Sequence, residues 1–324
     1  MGVQILLGAP PPSRATSISR TPHRVVAMSD EADVPPRKII PIEEGRREPE
    51  EIDLDFEPAE PPPPGLWDRV GDVHPGFTYA LVLAILIGFA AQLVTATVGL
   101  DRALTGGSLT GPFVEAGAAA RLPFLAGEWW RLLAPLFLHA NLLHLGSNLI
   151  ALVIVGGVAE RAYGHSRFLT LFIVAGAVAS LATFERQGWA LAAAAAAGIE
   201  PRSIGSIGAS GAVYGVGAAV VAAAIRLRGL LTPWRARALI GATLPLLLSS
   251  LAGGFAKPGT DNAAHIGGAV AGALLGAFLP FHSNLRAEPE GATARTFWGL
   301  FALGALGLLV ASGVLAFLHG QAAG

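Results

Sequence analysis

Seven stretches of 17 residues or more in this 324-residue chain carry no Asp, Glu, Lys or Arg: 75–100, 132–159, 168–184, 203–225, 238–256, 262–285 and 296–324. No other feature constrains the fold as strongly. A helix that crosses a bilayer needs about 20 mostly apolar residues, with a range of about 17–25. In hydrocarbon, only a helix or a closed barrel satisfies every backbone N–H and C=O. The runs therefore predict an all-α, polytopic membrane helix bundle. The run 132–159 is long and contains Pro135, His139 and His144. We divide it into an interfacial piece over 132–143 and a span starting near His144. Residues 187–199, "QGWALAAAAAAGI", could extend the third span or form a loop helix, and on length grounds the loop is expected. Trp129 and Trp130, between Glu128 and Arg131, suit a membrane interface, so residues 121–143 are expected to form a half-embedded hairpin on the outer side.

The remaining composition narrows the possibilities. The chain is 52% hydrophobic and 14% charged, with a mean hydropathy of +0.55. A net charge of −1 gives no electrostatic reason to bind nucleic acid. The absence of cysteine excludes disulfides, zinc–thiolate sites and a cysteine nucleophile. Residues 1–76 hold 14 of the 23 acidic and 8 of the 22 basic side chains. With "EPAEPPPPG" at 57–65, residues 1–72 read as a disordered, acidic, Pro-rich tail that buries too little apolar surface to fold. An amphipathic element over 39–56 is the alternative there. "MGVQILLGAPPP" lacks the basic start and long apolar stretch of a secretory signal, and Leu6 breaks the myristoylation pattern. Met28, opening "MSDEADVPPRK", reads as the natural start, so residues 1–27 are expected to be an artefact of the assigned start. The rest divides into a six-span core over 73–285 and a linker with a seventh transmembrane helix over 286–324.

Arginines in short loops orient membrane proteins with their positive side inside. Arg161 and Arg167, then Arg226, Arg228, Arg235 and Arg237, then Arg286 and Arg295, follow spans two, four and six. The opposite loops are longer and hold Arg102, Arg121, Arg131, Arg186, Arg202 and Lys257. This bias predicts a cytoplasmic N-terminus.

Four polar side chains interrupt the apolar runs: His144, Asn148, Ser210 and His265. Polar groups in lipid are costly unless paired, so they face the protein interior. Spans two, four and six run the same way, from outside to inside. His144 and Asn148 open span two. Ser210 lies about 10 Å into span four, counted from Ser203, and His265 follows Asp261 by one turn. All four fall at one depth below the outer surface. His144 and Asn148 share a helix face, as do Ser210 and Tyr214. Gly211 with Gly215, and Gly268 with Gly272, form GxxxG pairs that let helix backbones approach closely. Spans four and six are thus expected to pack together and bring Ser210 to His265.

A serine hydroxyl becomes nucleophilic when a base takes its proton, and imidazole is the usual base. Acyl transfer then needs donors for a developing oxyanion. His144, Asn148 and the Ser210 amide can supply them, the last because the first amides of a helix lack partners. Gly208 permits the bend just before Ser210. No intramembrane carboxylate is available to orient His265, so a dyad is expected, with Tyr214 able to hold the ring. The bland alternatives are specific. A lone serine in a span usually bonds its own i−4 carbonyl, and a lone intramembrane histidine serves proton relay or ligand binding equally well. Glu160 and Arg161 read as a solvated loop pair, and His139 as a structural hydrogen-bonding residue at the interface. His23, His74, His165, His282 and His319 read as incidental. A transporter with a histidine proton relay would show inverted repeats and broken helices at the midplane; no convincing internal repeat is seen.

These residues resemble the rhomboid family of intramembrane serine proteases. "GASG" (208–211) matches the family's GxSG motif and "DNAAHIGGAVAG" (261–272) its AHxxG helix. "HANLLHLGSN" (139–148) matches HxxxxHxxxN, and "EWWR" (128–131) matches the first-loop motif. The resemblance covers most of 125–276. It implies Ser210 as nucleophile, His265 as general base, and His144 and Asn148 as oxyanion donors with the Ser210 amide. It further implies that Tyr214 stacks on the catalytic imidazole, that His139 lines a water-accessible pocket, and that Gly208 and Gly211 belong to the nucleophile motif. Substrates would be single-span membrane proteins, cut near the outer membrane face without metal or cofactor. The setting would be a bilayer, most simply a bacterial inner membrane. The seventh span resembles the six-plus-one members and would lie outside the catalytic core. The competing reading is a non-catalytic relative that binds membrane clients, although such relatives generally lack the Ser or the His.

Overall fold

The structure, a computed structural model, describes residues 73–97, 100–104, 107–200, 205–229, 231, 233–257, 259–282 and 291–323. The expected tail over 1–72 and most of the linker after residue 285 lie outside the described residues. Seven long helices carry the described chain: α1 Gly76–Thr95, α2 Leu142–Tyr163, α3 His165–Ala196, α4 Ser210–Arg226, α5 Pro233–Ala256, α6 Asn262–Phe278 and α7 Ala292–Ala323. Between α1 and α2 the chain forms short helices at Leu100–Leu104, Pro112–Gly117 and Arg121–Leu125, then 3-10 turns at Trp129–Leu132 and Ala134–Phe137. No strand occurs among the described residues. One isolated pair of backbone hydrogen bonds joins Ala119 and Ser206, at 2.8 and 3.1 Å. α1, α2, α3, α5 and α7 are long and apolar enough to cross a membrane. α4 and α6 are apolar but only 17 residues long. The architecture is an all-α polytopic membrane bundle.

Close backbone approach organises the centre. A Cβ added at Gly268 would land on the Gly211 carbonyl oxygen, and one at Gly272 on that of Gly215. One turn further, a Cβ at Gly276 would come within 2.7 Å of Ala219 Cα. The pairs ascend together, so α4 and α6 run parallel with their backbones in contact, as the two GxxxG pairs predict. α3 enters the same seam antiparallel to α4: the Ala179 and Ala175 methyls occupy the space that side chains on Gly211 and Gly215 would need. At the far end, the buried Tyr163 hydroxyl lies 3.1 Å from Ala219 O on α4 and 2.9 Å from Gly276 O on α6. Arg226 Nη1 donates to Gly276 O and Leu279 O at 2.9 and 2.7 Å, satisfying carbonyls that a helix end leaves open.

Two sequence expectations are corrected. Residues 187–196 are not a separate loop helix; they continue α3, which runs unbroken to Ala196. Alanine is the strongest helix former, so the alanine run propagates the helix beyond the roughly 30 Å hydrocarbon thickness. It ends where Gly198 adopts φ +68°. Ile199 N donates to Ala194 O at 2.9 Å and Gly198 N to Ala195 O at 3.1 Å, the glycine-terminated helix end that satisfies the last carbonyls. The second correction is Glu160, which is fully buried rather than a solvated loop residue. Its carboxylate accepts from Phe77 N and Thr78 N, both at 2.8 Å, and from Thr78 Oγ1 at 2.6 Å. It thereby satisfies the open amides at the start of α1. His165, read as incidental, pairs with the same carboxylate, while Arg161 turns back to its own helix at Gly157 O.

α7 packs on α3 and on the loop between α1 and α2. Gly320 lies against the Pro112 backbone, where a Cβ would come within 2.7 Å of the carbonyl oxygen. Phe317 meets Phe113 edge-on at 5.6 Å, and His319, also read as incidental, meets the Trp130 ring at 5.3 Å.

Candidate active site

The start of α4 is built by a glycine turn. Gly208 has φ +128°, a conformation that side-chain-bearing residues rarely adopt. Its N–H donates to Pro135 O at 2.9 Å, tying the turn to the loop before α2. Ala209 N reaches His139 Nε2 at 3.5 Å. Ser210 is then the first residue of α4, so its N–H has no acceptor within the helix.

The start of α6 is built by a carboxylate. Asp261 caps the helix by accepting from Ala264 N at 3.3 Å. Thr183 Oγ1 donates to it at 2.7 Å and Arg186 Nε at 3.1 Å, both from α3. Burial alone would raise the Asp261 pKa; the Thr183 hydroxyl, Arg186 and Ser206 outweigh it and hold the carboxyl below its ordinary value. One turn on, His265 is 8% exposed. Its Nε2 lies 2.9 Å from Ser210 Oγ. Its ring stacks on Tyr214 with centroids 4.3 Å apart and planes 10° apart. Nδ1 is buried, and among the described residues no carboxylate or other group hydrogen-bonds to it.

α2 supplies the third side. Asn141 caps it by accepting from His144 N at 2.9 Å. Ala140 N donates to His144 Nδ1 at 3.3 Å, which makes Nδ1 the acceptor and leaves the proton on Nε2. That Nε2 faces the turn before Ser210, 2.9 Å from where a Cβ on Gly208 would sit. A side chain at 208 would fill the space between His144 and the serine. Asn148 is 5% exposed and spends one N–H on His144 O at 2.8 Å, which leaves its second N–H for another acceptor. The structure thus brings Ser210, His265, Tyr214, His144 and Gly208 around one point, with His139 behind the turn. Gly211 belongs to the α4–α6 seam instead.

Sequence reasoning singled out Glu128 and Arg131 within "EWWR" but missed Gln92 and the bonds that make these residues a scaffold. Gln92 of α1 holds the His139 backbone on both sides: Nε2 donates to His139 O at 2.7 Å, and Oε1 accepts from His139 N at 2.9 Å. Arg131, 5% exposed, donates to Glu115 O and Ala118 O at 2.7 and 2.8 Å and pairs with Glu128 at 2.7 Å. The next residue, Ala119, pairs with Ser206, and its carbonyl also accepts from Gln187 Nε2 at 2.9 Å. Asp261 was legible in principle, since an Asp before an apolar helical run is a capping signal.

Among the described residues, no group of three or more His, Asp or Glu stands ready to hold a metal ion. What the site offers is an alcohol in contact with an imidazole, at the open N-terminal end of α4 and with a second imidazole against the preceding turn. That is the equipment for acyl transfer.

Comparison with known proteins agrees with this class. Residues 126–280 match the family model for the Rhomboid domain. The chain is 33% identical over 207 residues to "Rhomboid protease GluP" of Bacillus subtilis (strain 168), covering 63% of this chain and 35% of that protein. It is 33% identical over 159 residues to "Rhomboid protease AarA" of Providencia stuartii, covering 47% and 56%. A third relative, "RHOMBOID-like protein 5" of Arabidopsis thaliana, is 33% identical over 182 residues, covering 53% and 52%. Over residues 126–280 the chain is therefore similar to the Rhomboid domain. It spans between 35% and 56% of the length of these relatives.

Proposed function

We propose that the chain is an intramembrane serine endopeptidase that cleaves single-span membrane proteins near the extracytoplasmic face, using Ser210 and His265 as a dyad. The 2.9 Å approach of His265 Nε2 to Ser210 Oγ is the observation that carries this reading. Nε2 takes the hydroxyl proton as Oγ attacks the scissile carbonyl. The carbonyl oxygen becomes an oxyanion and is met by the Ser210 N–H, His144 Nε2–H and the second Asn148 N–H. The protonated imidazole then gives its proton to the leaving amine, and water resolves the acyl-enzyme through the same base. Tyr214 and the Asp261 cap keep the imidazole at its station. α1 through α7 all cross the bilayer in this reading, with the N-terminus in the cytoplasm of a bacterial inner membrane and the dyad in the outer half.

Activity is tested with the full chain in liposomes containing a single-span substrate. Ser210→Ala and His265→Ala each abolish cleavage while the protein stays folded. His144→Ala and Asn148→Ala each lower kcat, by up to about 10²–10³, the worth of one oxyanion donor. Unchanged cleavage by Ser210→Ala refutes the nucleophile. A folded wild-type chain that binds the substrate and never cuts it supports the client-binding alternative. The cysteine-free sequence also lets orientation be read directly. A single cysteine at Gly127 should react with an impermeant maleimide from outside, and one at Arg228 should not; the reverse pattern inverts the topology.

A further inference from the structure

The C-terminal end of α7 packs into the same loop that holds the turn before Ser210. Ala316 is fully buried and shares one apolar cluster with Phe113, Ala134 and Leu138. Ile207 packs against that cluster. These neighbours bracket the site. Ala134 and Leu138 lie one residue from Pro135 and His139, the two loop residues that touch the turn. Pro135 O accepts from Gly208 N at 2.9 Å, and His139 Nε2 lies 3.5 Å from Ala209 N. Ile207 immediately precedes Gly208. The packing is close: a Cβ added at Gly117 of the loop would lie 3.3 Å from the Ala316 methyl and 2.8 Å from Leu138 Cδ1. The polar contact at this end is weaker. His319 Nε2 lies 3.9 Å from Glu128 Oε1, with the two side chains 49% and 21% exposed, and a pair so open to water contributes little. The weight falls on the buried packing.

We propose that α7 belongs to the catalytic scaffold, with Ala316 as a positioning residue for the nucleophile turn. This rests on the proteolytic reading of Ser210. Protein interiors are close-packed and transmit displacement. A side chain larger than methyl at 316 must move Ala134 and Leu138 or move α7 itself. Gly320 and Phe317 tie the same end of α7 to Pro112 and Phe113, so a displaced helix takes the loop with it. Either shift reaches Gly208 through one hydrogen bond from Pro135, and Ile207 through direct contact. The alternative is a helix outside the catalytic core that adds stability alone. Such a helix could lose stability without moving the turn.

The test compares two overpacking variants of the full chain in liposomes, Ala316→Leu and Ala302→Leu. Ala302 is also buried on α7 but sits in a different cluster, roughly 21 Å further from the loop along the helix axis. Thermal melts establish that both variants are folded; Ala316→Val is the milder version should leucine prevent folding. Hydrogen–deuterium exchange reads the turn without reference to activity. Ala316→Leu should speed exchange several-fold at the Ser206 and Gly208 amides, which donate to Ala119 O and Pro135 O, and Ala302→Leu should leave it unchanged. On the single-span substrate, Ala316→Leu should lower kcat by about 10–100-fold, the scale of a misplacement of roughly 1 Å, with KM little changed. Ala302→Leu should keep the wild-type kcat, and so should Ala316→Ser, which is close to alanine in size. Equal exchange in the two leucine variants overturns the proposal, as does an undiminished kcat in folded Ala316→Leu. A wild-type chain that never cuts, with the exchange difference present, sinks the proteolytic reading and upholds Ala316 as the residue that places the turn.

Discussion

Asp261 touches no reacting atom in the proposed mechanism, yet it sets where the base stands. It caps α6 one turn before His265 and ties that helix to α3 through Thr183 and Arg186. Its carboxyl is held below the ordinary value against the opposing effect of burial. The folded state therefore binds this proton less readily than the unfolded state. The stabilisation is complete above the ordinary carboxylate value of about 3.9 and is lost as pH falls through the lower folded-state value. Thermal melts of the full chain from neutral pH downward should show a shallower acid limb for Asp261→Asn than for wild type. Superimposable acid limbs would mean that the cap adds nothing. Glu160 teaches the opposite lesson about reading charges. Next to Arg161 in sequence, it looked like half of a solvated pair, but adjacent residues on a helix point in different directions. What the carboxylate meets is the start of α1, more than eighty residues away in sequence, and no local pattern announces that.

At the scale of elements, the α4–α6 seam makes the clearest demand. A side chain at Gly268 or Gly272 would strike the α4 backbone, and one at Gly211 or Gly215 would strike the Ala179 or Ala175 methyl of α3. Gly272→Ala must push the helices apart, since its Cβ would fall on the Gly215 carbonyl. The expected cost is about 1–3 kcal/mol, that of overpacking a tight core, and the Ser210–His265 contact should lengthen. Gly241→Ala on α5 meets open space and should be neutral or slightly stabilising, by up to about 1 kcal/mol. Chemical denaturation of both variants compares the two directly; equal effects would contradict the seam. This packing was legible in the sequence because GxxxG spacing is local. The length of α3 was misjudged because average span length was weighed above the helix propensity of an alanine run and the stop at Gly198.

At the scale of the molecule, apolar runs specified an all-α bundle, and four polar residues at one expected depth specified which helices must meet. The long loop between α1 and α2 was not legible in the same way. It is held by side-chain-to-backbone bonds from Gln92 and Arg131 and by the C-terminal end of α7. Those partners are distant in sequence and carry no periodic signal. The loop matters because its Ala119 pairs with Ser206 and its Pro135 holds the Gly208 turn. The loop thus holds the turn from which Ser210 starts α4. A fluorophosphonate probe reports the state of that serine directly, because it reacts with serines whose proton a base can take. In folded, full-length protein the account predicts a covalent adduct on the peptide containing Ser210, lost in Ser210→Ala and strongly reduced in His265→Ala. Absence of the adduct in folded wild-type protein, or labelling undiminished by His265→Ala, would contradict it.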